Sequence, residues 1–139
     1  MAQKVNEVMT PVPVAVSPDT SLAEVGDLMR QHGIGDVLVV HEGRLRGLVT
    51  DRDIVVRAVA LQKDMTDTTV ADVCSTNLIT VAPGEDADTA VRLMRRHAIR
   101  RIPVVDGDRP IGMVSIGDLA VQRDERSALA DISAEPPNT

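Results

Sequence analysis

The stretch Gly47-Leu48-Val49-Thr50-Asp51-Arg52-Asp53-Ile54 returns 65 residues later as Gly112-Met113-Val114-Ser115-Ile116-Gly117-Asp118-Leu119. Each copy carries a glycine, two apolar residues, a hydroxyl residue, two variable positions, an aspartate and a closing apolar residue. The glycine suits a tight approach, and the apolar pair suits a buried strand end. A hydroxyl side chain three positions before an acid is the pattern of an N-terminal helix cap. A strand therefore runs straight into a helix, twice.

The same offset reaches much further. Val8 falls on Val73, Val16 on Val81, Pro18 on Pro83, and Leu28-Met29-Arg30 on Leu93-Met94-Arg95; His32 falls on His97, Ile34 on Ile99, and Val39-Val40 on Val104-Val105. An internal duplication accounts for this. Two copies are too few for a solenoid and suit a pseudo-twofold pair burying a shared face.

Within the first copy, Val14 and Val16 suit a short strand and Ser17-Pro18-Asp19 a turn. Leu22, Val25, Leu28 and Met29 recur at helical spacing between about Ser21 and His32. Ser21 with Glu24 suggests a capping box, and Gly33 ends the helix. Val37 to Val40 reads as an apolar strand, Glu42-Gly43 as a hairpin turn and Leu45 to Thr50 as the returning strand. Ile54, Val55, Ala58 and Val59 are expected to form the apolar side of a second helix.

In the second copy, Ile79-Thr80-Val81 is the expected first strand and Pro83-Gly84 its turn. Ala87, Ala90, Val91 and Met94 mark the helix, with Ala98 a candidate for its last turn, Ile102 to Val105 the next strand, Asp106-Gly107-Asp108 the turn and Ile111 to Ser115 the return. The last helix starts near Ser115 and runs through Leu119 and Ala120. The expected class is α/β (α+β in some schemes), each repeat reading β-α-β-β-α. The expected boundaries are 5–61 for the first repeat, 62–69 for a polar connector, 70–122 for the second repeat and 123–139 for a variable tail. In that tail Leu129 and Ile132 are candidates for packing, and Pro136 to Thr139 for a loose end.

Composition narrows the function. The 139 residues are 43% hydrophobic yet contain no Phe, Tyr or Trp, so the core is aliphatic and no aromatic platform exists for stacking bases. A formal charge of -6 weighs against nucleic acid as a partner, while a local basic cluster remains compatible with a small phosphate. The single cysteine, Cys74, excludes an internal disulfide and a four-cysteine metal site and is expected to be a buried structural thiol. No signal segment or run of 18 apolar residues is visible, which leads to the expectation of a cytoplasmic protein without a membrane partner.

With the two strand-to-helix motifs, Thr10-Pro11, Val16-Ser17-Pro18-Asp19-Thr20 and Ile99-Arg100-Arg101-Ile102-Pro103-Val104-Val105-Asp106, the chain resembles a tandem pair of cystathionine-beta-synthase (CBS) domains, a Bateman module. It is similar to small standalone bacterial members, over roughly Val5 to Val121. The resemblance implies a nonenzymatic regulatory or sensing module that requires no cofactor. It also implies an adenosine-containing ligand (AMP, ADP, ATP or S-adenosylmethionine) in an inter-repeat cleft, a flattened homodimer and an unidentified effector protein.

Carried over residue by residue, the resemblance implies ribose contacts from Asp118 and Ser115 in one cleft, and from Asp53 and Thr50 in the other. The base-binding positions map to Ile79, Thr80, Ile102 and Pro103 in the second repeat, and to Val14, Ala15, Val37 and Leu38 in the first. The chemistry of the residues is compatible. A carboxylate accepts hydroxyl hydrogens, a helix start offers unpaired N–H groups to phosphate, and aliphatic walls accommodate adenine. Arg101, immediately before the pocket strand, is the favoured phosphate partner over Arg100. The first copy carries Gly35-Asp36 in place of both arginines, and Asp36 would repel a phosphate that it faced, so the cleft of Asp118 is preferred.

Plainer roles stand beside these. Thr50 with Asp53, and Ser115 with Asp118, also serve as helix caps without any ligand. Arg95, Arg96, Arg100 and Arg101 form a basic patch that is either phosphate-binding or solvated, with Arg95 and Arg96 expected at the surface in either case. His32 and His97 suit helix ends rather than metal ligation, His41 suits a solvent-facing hairpin, and Met29 and Met94 suit core filling. Asp51-Arg52-Asp53 suits a cap better than magnesium. The sequence contains no organised nucleophile–base pair, metal-ligand cluster or phosphate-loop glycine pattern, so an enzyme is not expected. A ligand-independent interaction module is the competing function.

Overall fold

The computed structural model describes residues 3–11 and 14–123. The elements run α1 (Val5–Val8), β1 (Thr10–Pro11), β2 (Ala15–Val16), α2 (Leu22–His32), β3 (Asp36–His41), β4 (Arg44–Thr50) and α3 (Asp51–Ile54). A π-helical turn (Val55–Val59), a 3₁₀ turn (Val70–Asp72), α4 (Ala87–His97), β5 (Arg101–Asp106), β6 (Arg109–Ser115) and α5 (Ile116–Arg123) complete the order. The expected packing of Leu129 and Ile132 and the loose end at Pro136 to Thr139 lie outside the described residues.

The compact units do not coincide with the repeats. Among the described residues one unit comprises 3–11 with 79–123, and the other 14–78. Each repeat thus gives its opening segment to the body of the other. Val5 and Val8 join Val81, Ala90, Met94, Ile102, Val104 and Val114 in one core. Val70 and Val73, the same repeat positions, join Val25, Met29, Val37, Val39 and Val49 in the other. Val5 and Val70 are both fully buried, each burial favouring the fold by roughly 1.5–3 kcal/mol. Residues 62–69, expected as a connector, belong to the second of these bodies: Ala23 N–H donates to Met65 O at 2.9 Å and Leu22 N–H to Thr68 O at 3.0 Å.

The local chemistry explains the elements. Ser21 Oγ accepts from Glu24 N–H, capping α2, and Gly33 closes it in the left-handed conformation at φ 62°. The Glu42-Gly43 turn holds both residues at positive φ, 52° and 77°, the geometry that lets two twisted strands reverse in two residues. β3 and β4 pair antiparallel with a register shift between Val39 and Val40, and β5 and β6 do the same between Val104 and Val105. Each unit's sheet has three strands, β2-β3-β4 in one and β1-β6-β5 in the other.

The third strand exposes how the repeats differ. In the first repeat β2 lies parallel to β3, pairing Val16 with Val39. The expected strand Ile79-Thr80-Val81 is reduced to a single bridge between Val81 and Val104. The cause is Pro103. Leu38 N–H donates to Val14 O at 3.0 Å, and the residue at the position of Leu38 in the second repeat is Pro103, which has no N–H to donate. The converse holds for the opening segments. Thr10–Pro11 forms a true strand on β6, while its counterpart Ser75 makes only a bridge to Leu48.

One sequence expectation is corrected outright. Val55 and Val59 are not an apolar side packed on the core; they are 55% and 53% exposed, whereas Ala58 is fully buried. The π turn, with Ala60 N–H bonded to Val55 O at 2.8 Å, changes the angular spacing on which a 3.6-residue projection relies.

Candidate functional site

Ser115 is the last residue of β6 and Asp118 lies in the first turn of α5. Ser115 N–H donates to Asp118 Oδ2 at 2.9 Å, and Asp118 N–H donates to Ser115 Oγ at 3.1 Å. This reciprocal box turns the strand into the helix. Across the ladder Ser115 pairs with Arg101, Val114 with Ile102 and Met113 with Pro103. Arg100 O accepts from Ile116 N–H at 2.9 Å, fixing the start of α5 against the entrance to β5.

Arg101, Ser115 and Asp118 therefore meet at one end of one sheet. Arg100 and Arg101 are exposed, and Asp118 is half-buried. Ile102 is fully buried with its side chain in the hydrophobic core, so only its backbone has polar groups to offer. Pro103 is buried and Pro103 O accepts from Val81 N–H at 3.1 Å. Ile79 is half-buried and Thr80 exposed in the segment leading to that bridge.

The first repeat builds the same junction. Thr50 N–H donates to Asp53 Oδ2 at 2.9 Å and Asp53 N–H to Thr50 Oγ1 at 3.1 Å. Gly35 O accepts from Asp51 N–H at 3.0 Å, the counterpart of the Arg100–Ile116 bond. A Cβ at Gly35, where the second repeat has Arg100, would lie 3.1 Å from Asp51 Oδ2, a close approach that the exposed Asp51 side chain would have to yield to. Thr50 pairs with Asp36, and Ala15 with Leu38. Val37 and Leu38 are buried, Val14 is half-buried and Ala15 exposed.

Arg57 is the site residue that the sequence reading passed over. Its Nη1 donates to Val73 O at 3.1 Å and its Nε stands 4.0 Å from Asp53 Oδ1. The available signal was the i,i+4 spacing of Asp53 and Arg57, which juxtaposes opposite charges on a helical surface.

Other candidates resolve plainly. Met29 and Met94 are buried core residues, and His32 and His97 lie exposed in the last turns of α2 and α4. Cys74 is half-buried rather than buried, and desolvation pushes its thiol pKa above the ordinary value. Among the described residues no group of three or more His, Cys, Asp or Glu side chains is placed to hold a metal ion, and no helix is long and apolar enough to cross a membrane. A groove of about 400 Å³, lined by residues including Val91, Met94, Arg95, Ile116 and Leu119, lies between α4 and α5 and includes none of the expected ligand residues.

A duplicated unit with a three-stranded sheet, a capped strand-to-helix junction and exchanged opening segments defines a paired α+β repeat module. The chain belongs to the CBS-domain family, whose model matches residues 5–59 and 70–123. It is 41% identical over 133 residues to the CBS domain-containing protein YhcV of Bacillus subtilis, covering 93% of this chain and 94% of that protein. It is similar to the CBS domain pair of protein MJ0100 in complex with 5'-methylthioadenosine and S-adenosyl-L-methionine, with a TM-score of 0.82 and 26% identity, covering 91% of this chain and all of that one. A hexameric CBS-CP12 protein from bloom-forming cyanobacteria is similar with a TM-score of 0.78 and 27% identity, covering 89% of this chain and 74% of that one.

Proposed function

We propose that the chain is a nonenzymatic regulatory module that binds an adenosine-containing small molecule through its second repeat and passes the bound state to a separate effector protein. The observation that carries this reading is the half-buried Asp118 carboxylate, held by Ser115 at the mouth of α5 with Arg101 directly across the ladder. A carboxylate accepts the two ribose hydroxyls, and the arginine complements phosphate. Pro103 adds support. Because it has no N–H, Ile79 O lacks the strand bond that Val14 O receives from Leu38, and a carbonyl so placed suits the amino group of adenine. The MJ0100 pair, in complex with two adenosine-containing ligands, makes this ligand class the first to test.

Isothermal titration with AMP, ADP, ATP and S-adenosylmethionine tests the proposal. Binding of at least one is expected in the wild type, with loss in Asp118→Asn, which keeps an acceptor for Ser115 N–H but removes the charge. Absence of heat across all four at millimolar ligand refutes it.

A second reading, self-association as a homodimer, is favoured by Val55, Val56, Val59 and Leu61, which are 50–64% exposed in one seven-residue stretch. Light scattering of the wild type and of Val59→Lys separates it: a dimer using this stretch becomes a monomer in the variant.

A further inference from the structure

We propose that Arg57 is a built-in counter-ion of Asp53 that keeps the first-repeat site closed to nucleosides, so that each chain takes one adenosine-containing ligand, at Asp118. The inference rests on the ligand reading above and assigns a role to the difference between the two junctions.

Both aspartates carry the same capping bonds at the same distances, so capping alone does not distinguish them. Beyond the exchange of Arg101 for Asp36 and of Pro103 for Leu38, a further difference lies four residues on. Position 57 is arginine, and position 122, its equivalent in the second repeat, is glutamine, which carries no charge. Asp53 Oδ2 receives Thr50 N–H, while its other oxygen, Oδ1, stands 4.0 Å from Arg57 Nε. The guanidinium is not swinging freely over the carboxylate, because Nη1 also donates to Val73 O at 3.1 Å. Asp53 is 17% exposed and Arg57 51%, so the carboxylate is sheltered while the guanidinium reaches it from the solvent side and the attraction is partly screened.

A ribose diol approaching Asp53 must compete with that cation for Oδ1, and neutral hydroxyls compete poorly with a guanidinium for a carboxylate. The helix carrying Arg57 also departs from its counterpart. It passes from α3 into the π turn at Val55–Val59, with Arg57 in the middle, whereas α5 continues as an α-helix through the equivalent positions to Arg123. Charge and helix register thus both differ at the one residue.

Titration of adenosine, which carries no phosphate for Asp36 to repel, into four proteins tests this: wild type, Asp118→Asn, the double variant Asp118→Asn/Arg57→Gln, and Asp118→Asn/Arg57→Lys. Should adenosine give no heat with the wild type, S-adenosylmethionine, which also lacks a phosphate, takes its place. The wild type is expected to bind at a stoichiometry of one and Asp118→Asn not at all. Arg57→Gln is expected to restore a stoichiometry of one on the Asp118→Asn background, because glutamine is what the second repeat carries, while Arg57→Lys, which keeps the charge, leaves the site closed. A wild-type stoichiometry of two, failure of Arg57→Gln to restore binding, or equal restoration by Arg57→Lys overturns the inference and leaves the ligand reading standing. A wild type that binds none of the four ligands overturns both. Circular dichroism of each variant verifies that the fold is retained.

Discussion

Ser115 and Asp118 hold each other through two backbone–side-chain hydrogen bonds of 2.9 and 3.1 Å, and Thr50 and Asp53 repeat the arrangement at the same distances. Each pair therefore has structural work to do whether or not a ligand is present. A side chain that caps a helix start typically stabilises by about 1 kcal/mol. Loss of binding in an Asp118 variant must accordingly be separated from loss of the cap.

The separation is measurable. Asp118→Ala and Asp53→Ala are each expected to lower unfolding stability by about 1 kcal/mol in the absence of ligand, read from urea denaturation midpoints. Adding the ligand should raise the midpoint of Asp53→Ala and leave that of Asp118→Ala unmoved. Equal ligand-induced stabilisation of both variants would contradict the assignment of binding to the second repeat.

The opening segments approach the sheets at glycines. A Cβ at Gly112 would sit 2.5 Å from Met9 Sδ and 2.9 Å from Thr10 O; one at Gly47 would sit 2.8 Å from Cys74 Sγ and 3.0 Å from Ser75 O. Backbone oxygens are involved at both, so side-chain rotation does not relieve the clash. Gly112→Ala and Gly47→Ala are each expected to destabilise by roughly 1–3 kcal/mol. Gly84→Ala, with nothing within 4 Å of the added atom, serves as the control. Chemical denaturation showing Gly112→Ala as stable as Gly84→Ala would show that the opening segment is not seated as described.

Cys74 gives a pH dependence of defined sign. Desolvation raises its folded-state pKa above the ordinary 9.0, so the folded protein holds the thiol proton where the unfolded chain releases it. Its contribution to stability is complete below the ordinary thiol pKa and is lost as pH rises through the folded value. Cys74→Ala should flatten the alkaline side of the stability profile. A thiol reagent at pH 8 should react with native protein more slowly than with protein in urea, and an equal rate would place the thiol in water.

Much of this architecture was legible from spacing alone. The duplication located both strand-to-helix junctions, both long helices and both hairpins, because these depend on local periodicity, turn chemistry and caps. What escaped was set by distant partners. Thr10–Pro11 is a strand only because β6 lies beside it, and Ile79 to Val81 fails to be one because of Pro103, more than twenty residues away. Val55 and Val59 were misplaced because a π turn breaks the helical projection. At the candidate site the capping pairs were readable, and Arg57 was missed because its second partner, Val73 O, lies 16 residues along the chain.

The crossing of the opening segments has a consequence for how such a chain arises. A polypeptide with a single repeat would hold one body and a segment that fits only another copy's body. Two such polypeptides would complete each other by reciprocal donation, and their folding would obey mass action, failing on dilution. Joining the repeats in one chain makes each donor the permanent neighbour of its acceptor, so that completion depends on tether length instead of concentration. The duplication thereby turns an association equilibrium into an intramolecular one.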